Sequence, residues 1–464
     1  MYDNRFIDDQ CLLHLSQISN ITQNLQNLVT VPLDKDGVPI YDDSIYCRIF
    51  KSLDACDFLV DVLELLQNIT AKHYRAYIDT INICLDLLCT ITRNDKELQT
   101  QFVLSNIDLL IHLTELSPKI AVTFAQLCSN NLYLSVHIKE EHIIRLLQTS
   151  EGYQGEYLLV FHDLMKTQGK FIKKNQDIVM RFFMDHRQEY VPFDNVLKLK
   201  SMHDSDYCIN LISILAICGQ GENTFGQSFA RTIFSIQDIY DVVHDEHVCI
   251  NLKSVMLKFL ASIYIEDVEL IAETPIYDNE NIVKLMQMSE EAITQCIYLA
   301  SSQQQDVTSS FYVFVFRGVL AFLRAVFEYH ISIEIAIYEI NRYSHLVDLM
   351  VKLLPLAYQD EKALQANLAC LDSMINVAGF RGSMSPLELR DVLKEATTTL
   401  NRLYARNYHH QEKHSTFSSI SGLAPIQDTV NISFQTLFNQ IKSSQAVKQY
   451  QQQEFERLCK HDIT

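Results

Sequence analysis

The sequence predicts an all-α protein, an armadillo- or HEAT-like helical solenoid of stacked helix pairs, and three observations predict it. Apolar residues recur at helical spacing along most of the chain. Only 11 glycines and 8 prolines punctuate 464 residues, whereas sheet-based folds need turn residues at short intervals. Apolar side chains make up 48% of the chain, enough for a continuous core, and helices of this kind joined by short polar turns stack in pairs.

Residues 1–44 are expected to hold an N-terminal helix and a loop near Val31–Asp43. A helical array over 45–275 then opens with Phe58, Leu59, Val62, Leu63, Leu66 and Ile69. Ile78, Ile81, Leu85 and Leu88 form a second apolar stripe, and Ile107, Leu110, Ile111 and Leu113 begin a third. Amphipathic stretches follow at Val136–Gln148, Glu156–Lys166, Gln176–Met184, Tyr207–Cys218, Ser235–Val243 and His247–Tyr264. The array continues over 276–409 with Asn281–Ala300, Phe311–Glu328, His345–Leu356, Lys362–Val377 and Pro386–Tyr408. Start signals agree: Asp57 precedes one apolar run, Ser117-Pro118 opens another, and Ser385-Pro386-Leu387-Glu388 joins a capping Ser to Pro at the first helical position. Loops are expected near Asp185–Asp206, Ser301–Ser309 and Gly379–Ser385, and Ile331–Ile337 alternates as a short strand would. Residues 410–430 read as a linker and 431–464 as a C-terminal helix, Phe434–Cys459.

A formal charge of −19, from 57 acidic and 38 basic residues, repels phosphate backbones, so no nucleic-acid partner is expected. Phe311–Phe327 is the one stretch apolar enough to test as a membrane span. It is shorter than the ~20 residues required, and Arg317 and Arg324 interrupt it. A buried core helix is expected there, and no membrane span in this chain. None of the 12 cysteines forms a C-x-x-C pair, and Cys84, Cys89, Cys218 and Cys370 lie inside apolar runs as small hydrophobes. The polar opening Met1-Tyr2-Asp3-Asn4-Arg5 is no secretory signal, so reduced thiols in the cytoplasm are expected.

No constellation reads as a catalytic centre, a metal site or a cofactor site. Gly219-Gln220-Gly221-Glu222-Asn223 follows a helical run instead of a strand, and Glu222 puts negative charge where a phosphate would sit. It reads as a helix C-cap and an open turn. His244 and His247 lack the second ligand cluster that zinc needs and fit a helix junction. No bidentate Glu follows Asp34-Lys35-Asp36-Gly37 at calcium-loop spacing, and G-x-S-x-G is absent. Lys170, Lys173 and Lys174 form the densest basic run in an acidic chain. It reads either as a solvated helix start or as a docking surface for an acidic partner helix.

Two stretches carry a resemblance. One runs from Tyr157 to Met180 around Gln168-Gly169-Lys170-Phe171-Ile172-Lys173-Lys174-Asn175-Gln176-Asp177. The other runs from Leu211 through Gly221-Glu222-Asn223 to Ile239–Ile250. In order and spacing they resemble the homology domain shared by inositol trisphosphate receptors and ryanodine receptors. That family shows E-G-K-Y/F-V/I-K-K-x-Q-D, then a G-K-N turn, then a D-I/V-V-x-V-V-x-H-E-x-C-I segment. Here Glu222 replaces the usual Lys, and Gly226-Gln227 stands where Thr-Glu is usual. The likeness covers about Asn106–Glu273 and extends to about Tyr408.

The resemblance implies a cytosolic scaffold region of an intracellular calcium-release channel, relaying conformational change without pore or ligand head. Its partners would be other segments or subunits of the channel, at the cytosolic face of the endoplasmic reticulum or another calcium store. The alternative is a stand-alone helical-repeat adaptor that binds a protein partner. Lys170, Lys173, Lys174 and Asn223 are the candidate docking positions.

Overall fold

The computed structural model describes residues 16–24, 55–67, 75–92, 95–152, 154–267, 279–301, 311–330, 340–358, 360–378 and 386–412. The loop expected at Val31–Asp43, the strand at Ile331–Ile337, the loop at Gly379–Ser385 and the helix at Phe434–Cys459 lie outside them. The protein is all-α, as its periodicity requires; among the described residues the only strands form one two-stranded hairpin.

The helices are α1 (16–24), α2 (Ala55–Gln67), α3 (Arg75–Thr92), α4 (Lys96–Ser105), α5 (Ile107–Thr114), α6 (Pro118–Cys128), α7 (Leu132–His137) and α8 (Glu140–Gln148). After a 3-10 turn at Gly155–Leu158 come α9 (Val160–Met165), β1 (Lys166–Thr167), β2 (Lys170–Phe171) and α10 (Lys173–Asp185). Then follow α11 (Arg187–Tyr190), α12 (Val196–Ser201), α13 (Asp206–Cys218), α14 (Thr224–Ala230) and α15 (Ile236–His244). The remainder are α16 (Ile250–Leu260), α17 (Glu280–Ser301), α18 (Leu320–Tyr329), α19 (Ile340–Leu353), α20 (Glu361–Ala378) and α21 (Pro386–Glu412).

Short polar side chains set several starts. Asp95, Ser117, Asn131, Asn195, Ser205 and Asn223 each occupy an N-cap and accept a backbone N–H from the first turn. Asp57 instead lies inside the first turn of α2, where it complements the helix dipole without capping.

Several expected helices are divided. Val136–Gln148 is cut at Ile138, which turns extended (ψ 134°) to bury its side chain completely. Glu156–Lys166 is a 3-10 turn and then α9, which stops at Met165 because Lys166 enters the hairpin. The Asp185–Asp206 loop contains α11 and α12, pinned by buried Tyr190, Val191, Phe193 and Leu199. These runs are too short to show a period. A π turn ends α16 at Ala261–Ile265, and another, Val315–Val319, lies ahead of α18. Helix α21 continues through Glu412, into the expected linker.

The described helices fall into two units, one up to Asp238 and the other from Ile239 to His409. In the first, α3 packs on α6, α6 on α9 and α9 on α13. Beside that row, α5 packs on α8, α8 on α10 and α10 on α14. Phe124, Phe161, Phe183 and Tyr207 are fully buried between these elements, and each such side chain contributes about 1.5–3 kcal/mol.

In the second unit α18 packs on α20, α20 on α19 and α19 on α17. The π turn at Val315–Val319 lies against α16, where a Cβ on Gly318 would meet the Ser254 backbone at 2.9 Å. Only glycine permits that approach. Phe314, Val315, Phe316, Leu320 and Phe322 are buried within this unit. Among the described residues no helix is long and apolar enough to cross a membrane.

Candidate functional site

The basic run begins on a tight hairpin. Gln168 (φ 51°) and Gly169 (φ 72°) turn β1 into β2, the double left-handed pair of a two-residue hairpin loop. Lys166 pairs with Phe171 and Thr167 with Lys170. The Gln168 side chain donates to the Asn130 carbonyl at 3.1 Å, which offsets the strain of a non-glycine residue there. Ile172 N–H donates to Met165 O at 2.8 Å and closes the ladder.

Helix α10 starts immediately afterwards, with Ile172 at its N-cap and no capping side chain. Lys173 and Lys174 therefore occupy a first turn that favours acids. Lys170, Lys173 and Lys174 are all exposed. Lys174 Nζ donates to Ile138 O at 3.2 Å, and among the described residues no carboxylate pairs with any of the three. The structure thus brings three of the four candidate positions to one surface.

The fourth is inside. Asn223 is fully buried. Its Oδ1 accepts Gly226 N–H at 3.4 Å as the N-cap of α14, and its Nδ2 donates to Asp177 Oδ1 at 2.9 Å. The docking expectation for Asn223 is corrected accordingly: no partner can reach it, and it ties two segments together.

Other buried amides extend the tie. Asn175 Nδ2 donates to Ser135 O and to Leu164 O, both at 2.7 Å. Gln176 Nε2 donates to Ile217 O at 2.7 Å and Gln220 O at 3.2 Å. Phe171 lies over Gly221 (φ 72°), where an added Cβ would sit 2.6 Å from the ring. Lys166 Nζ stands 4.7 Å from the centroid of the Phe171 ring and donates to Gln220 Oε1 at 2.9 Å. Further along, Asn131 Nδ2 donates to Lys96 O, Gln99 Oε1 and Thr100 Oγ1, while Gln99 Nε2 donates to Leu127 O and Ser129 O. The sequence does not single out the roles of Asn175, Gln176, Gln99 and Asn131; the available signal for Asn131 is its place directly before α7.

Helix α7 borders the basic run, since its Ser135 carbonyl accepts from Asn175 and the carbonyl of its C-cap, Ile138, accepts from Lys174. It exposes Tyr133 (61%) and Val136 (45%), and His137 stacks on Tyr133 at 3.8 Å. His137 also lines a groove of about 490 Å³ with Ile107, Asp108, Lys139, His142 and Arg145. Asp108 pairs with Arg145 and Lys139 with Glu141, so its charges are matched internally.

The remaining sequence candidates resolve as structural features. Gly219 is the C-cap of α13, donating its N–H to Ala216 O, and the turn after it serves α14, as expected of a helix-ending turn. His244 ends α15 and stacks on Tyr240, while His247 is exposed in the following junction. Burial pushes the Cys84 and Cys296 thiols up to about 11 and Cys370 up to about 12, which makes them poor nucleophiles. No protein-family model matches the chain.

Proposed function

We propose that this chain is a helical scaffold that relays conformational change between protein partners, the role implied by its resemblance to the homology domain of inositol trisphosphate and ryanodine receptors. The observation that carries the reading is the Asn223–Asp177 bond. The two segments on which the resemblance rests are distant in sequence, yet they share this bond, the Gln176 bonds and the Phe171–Gly221 contact. A module joined in this way moves as one body, which transmission requires.

An armadillo- or HEAT-like solenoid is the architecture proposed for the array. The succession α3, α6, α9, α13 supports it, because each helix packs on the next of the row. In this reading the chain works at the cytosolic face of the endoplasmic reticulum or another calcium store. Its partners are other segments or subunits of a release channel, and it performs no catalysis and needs no cofactor. A stand-alone adaptor is the second reading, favoured by the exposed Lys170, Lys173 and Lys174.

Gradient fractionation of the tagged endogenous protein, followed by cross-linking, separates the two. The first reading expects co-sedimentation with calcium-store membranes and cross-links from Lys170 or Lys173 to a channel polypeptide. A wholly soluble protein with a non-channel partner supports the adaptor instead.

A further inference from the structure

We infer that the β1–β2 hairpin, the first turn of α10 and the outer side of α7 form one docking surface, for an acidic polypeptide segment bearing a large apolar side chain. The inference deepens the scaffold reading and rests on it for the role, although the surface is argued from its own chemistry.

Charge comes first. Lys166, Lys170, Lys173 and Lys174 fall within nine residues of a chain whose net charge is −19. Lys170, Lys173 and Lys174 have no carboxylate partner among the described residues. Two of them crowd a helix N-terminus that no side chain caps, so carboxylates arriving there meet ammonium groups and the positive end of the helix dipole together. The surrounding acidic field opposes long phosphate polymers and anionic bilayers. A short peptide presents its few carboxylates locally and largely escapes that repulsion.

Shape and apolar character come second. Tyr133 and Val136 stand exposed on α7 and Phe171 is 39% exposed on β2. An aromatic residue flanked by cations is a common anchor of protein interfaces. The Asn175, Gln176 and Lys174 bonds hold these groups on fixed backbone, so little ordering is needed on binding. A matching segment carries acids for the lysines and an apolar side chain to cover Tyr133 and Val136.

The test is fluorescence anisotropy of the full chain with a short labelled glutamate-rich peptide containing interspersed leucine and tyrosine. Comparators are the same peptide with lysine for glutamate, a glutamate peptide without apolar residues, and phosphatidylserine vesicles. Saturable binding of the first peptide is expected, weakened by added salt and preferred over each comparator. The triple variant K170E/K173E/K174E should bind about tenfold more weakly and Tyr133→Ala about fivefold more weakly, with unchanged circular dichroism. If the triple variant loses helix, Lys170→Glu alone, on an exposed strand, should still weaken binding about threefold.

Wild-type affinity in both charge variants overturns the proposal. So does equal binding of the lysine peptide, or binding to vesicles but not to peptide. Peptide binding by a protein that fractionates as wholly soluble leaves the surface standing and removes the channel reading.

Discussion

Asn223 Nδ2 donates to Asp177 Oδ1 at 2.9 Å across 46 residues of sequence, while Asn223 Oδ1 caps α14 through Gly226 N–H. One buried amide therefore joins two helices. Asn223→Ala should destabilise the first unit by about 2–3 kcal/mol, from the lost cap and the unpaired groups left behind. Chemical denaturation of the full chain measures it. K170E/K173E/K174E should stay within about 0.5 kcal/mol of wild type, as exposed substitutions do. Similar losses in both variants would mean that burial does not separate the four positions.

Three glycines test three different constraints. At Gly169 an added Cβ meets nothing, so Ala pays only for φ 72°, about 1 kcal/mol. At Gly221 the same backbone penalty combines with an approach of 2.6–3.0 Å to the Phe171 side chain, where the ring can turn but its Cβ cannot. At Gly226 the added Cβ collides with the Cys218 carbonyl, which is backbone and cannot yield; about 2–3 kcal/mol is expected. Thermal denaturation should rank Gly226→Ala most damaging and Gly169→Ala least.

Buried thiols should resist alkylation. Cys84 and Cys370, pushed up to about 11 and about 12 by burial, hold almost no thiolate at pH 8. Cys89 and Cys249 are half-buried and should be labelled first among the described cysteines. Pulsed iodoacetamide labelling with peptide mass spectrometry reads the order, and early modification of Cys370 would contradict it.

His330 gives the second unit an acid-sensitive point. Its Nε2 lies 2.8 Å from Ile265 O, the last residue of a π turn, and Nδ1 has no partner. Burial lowers its pKa below the ordinary 6.5, more than the backbone bond raises it. The unfolded chain then binds the proton more readily than the folded one, so stability is fully present above about pH 6.5 and declines as pH falls below it. His330→Gln should flatten that part of the pH–stability profile. An unchanged slope would assign it to other groups.

The helices of this protein are legible because apolar stripes at helical spacing survive in one dimension. Ser117-Pro118 marks the start of α6 without any tertiary information. The hairpin is not legible, since two-residue strands show no alternation and Gln168-Gly169 lacks the usual Asn or Asp of such a turn. Lys170, Lys173 and Lys174 are legible as a charge run, and the structure keeps them together. Asn223 lies in the Gly221-Glu222-Asn223 turn, and nothing in that turn's sequence shows that it is buried. Only its partner Asp177 explains why it is inside. Asn175 is hidden for a related reason: its acceptor Ser135 O lies 40 residues away.

Asn175 and Gln176 address main-chain oxygens at positions 135, 164, 217 and 220. A carbonyl is present whatever residue stands there. A change of identity at those four positions leaves the acceptors of these bonds in place, while a change at 175 or 176 removes the donors. These four bonds depend on two letters of the sequence and on the path of the backbone, so this part of the joint persists while the residues that supply its acceptors diverge.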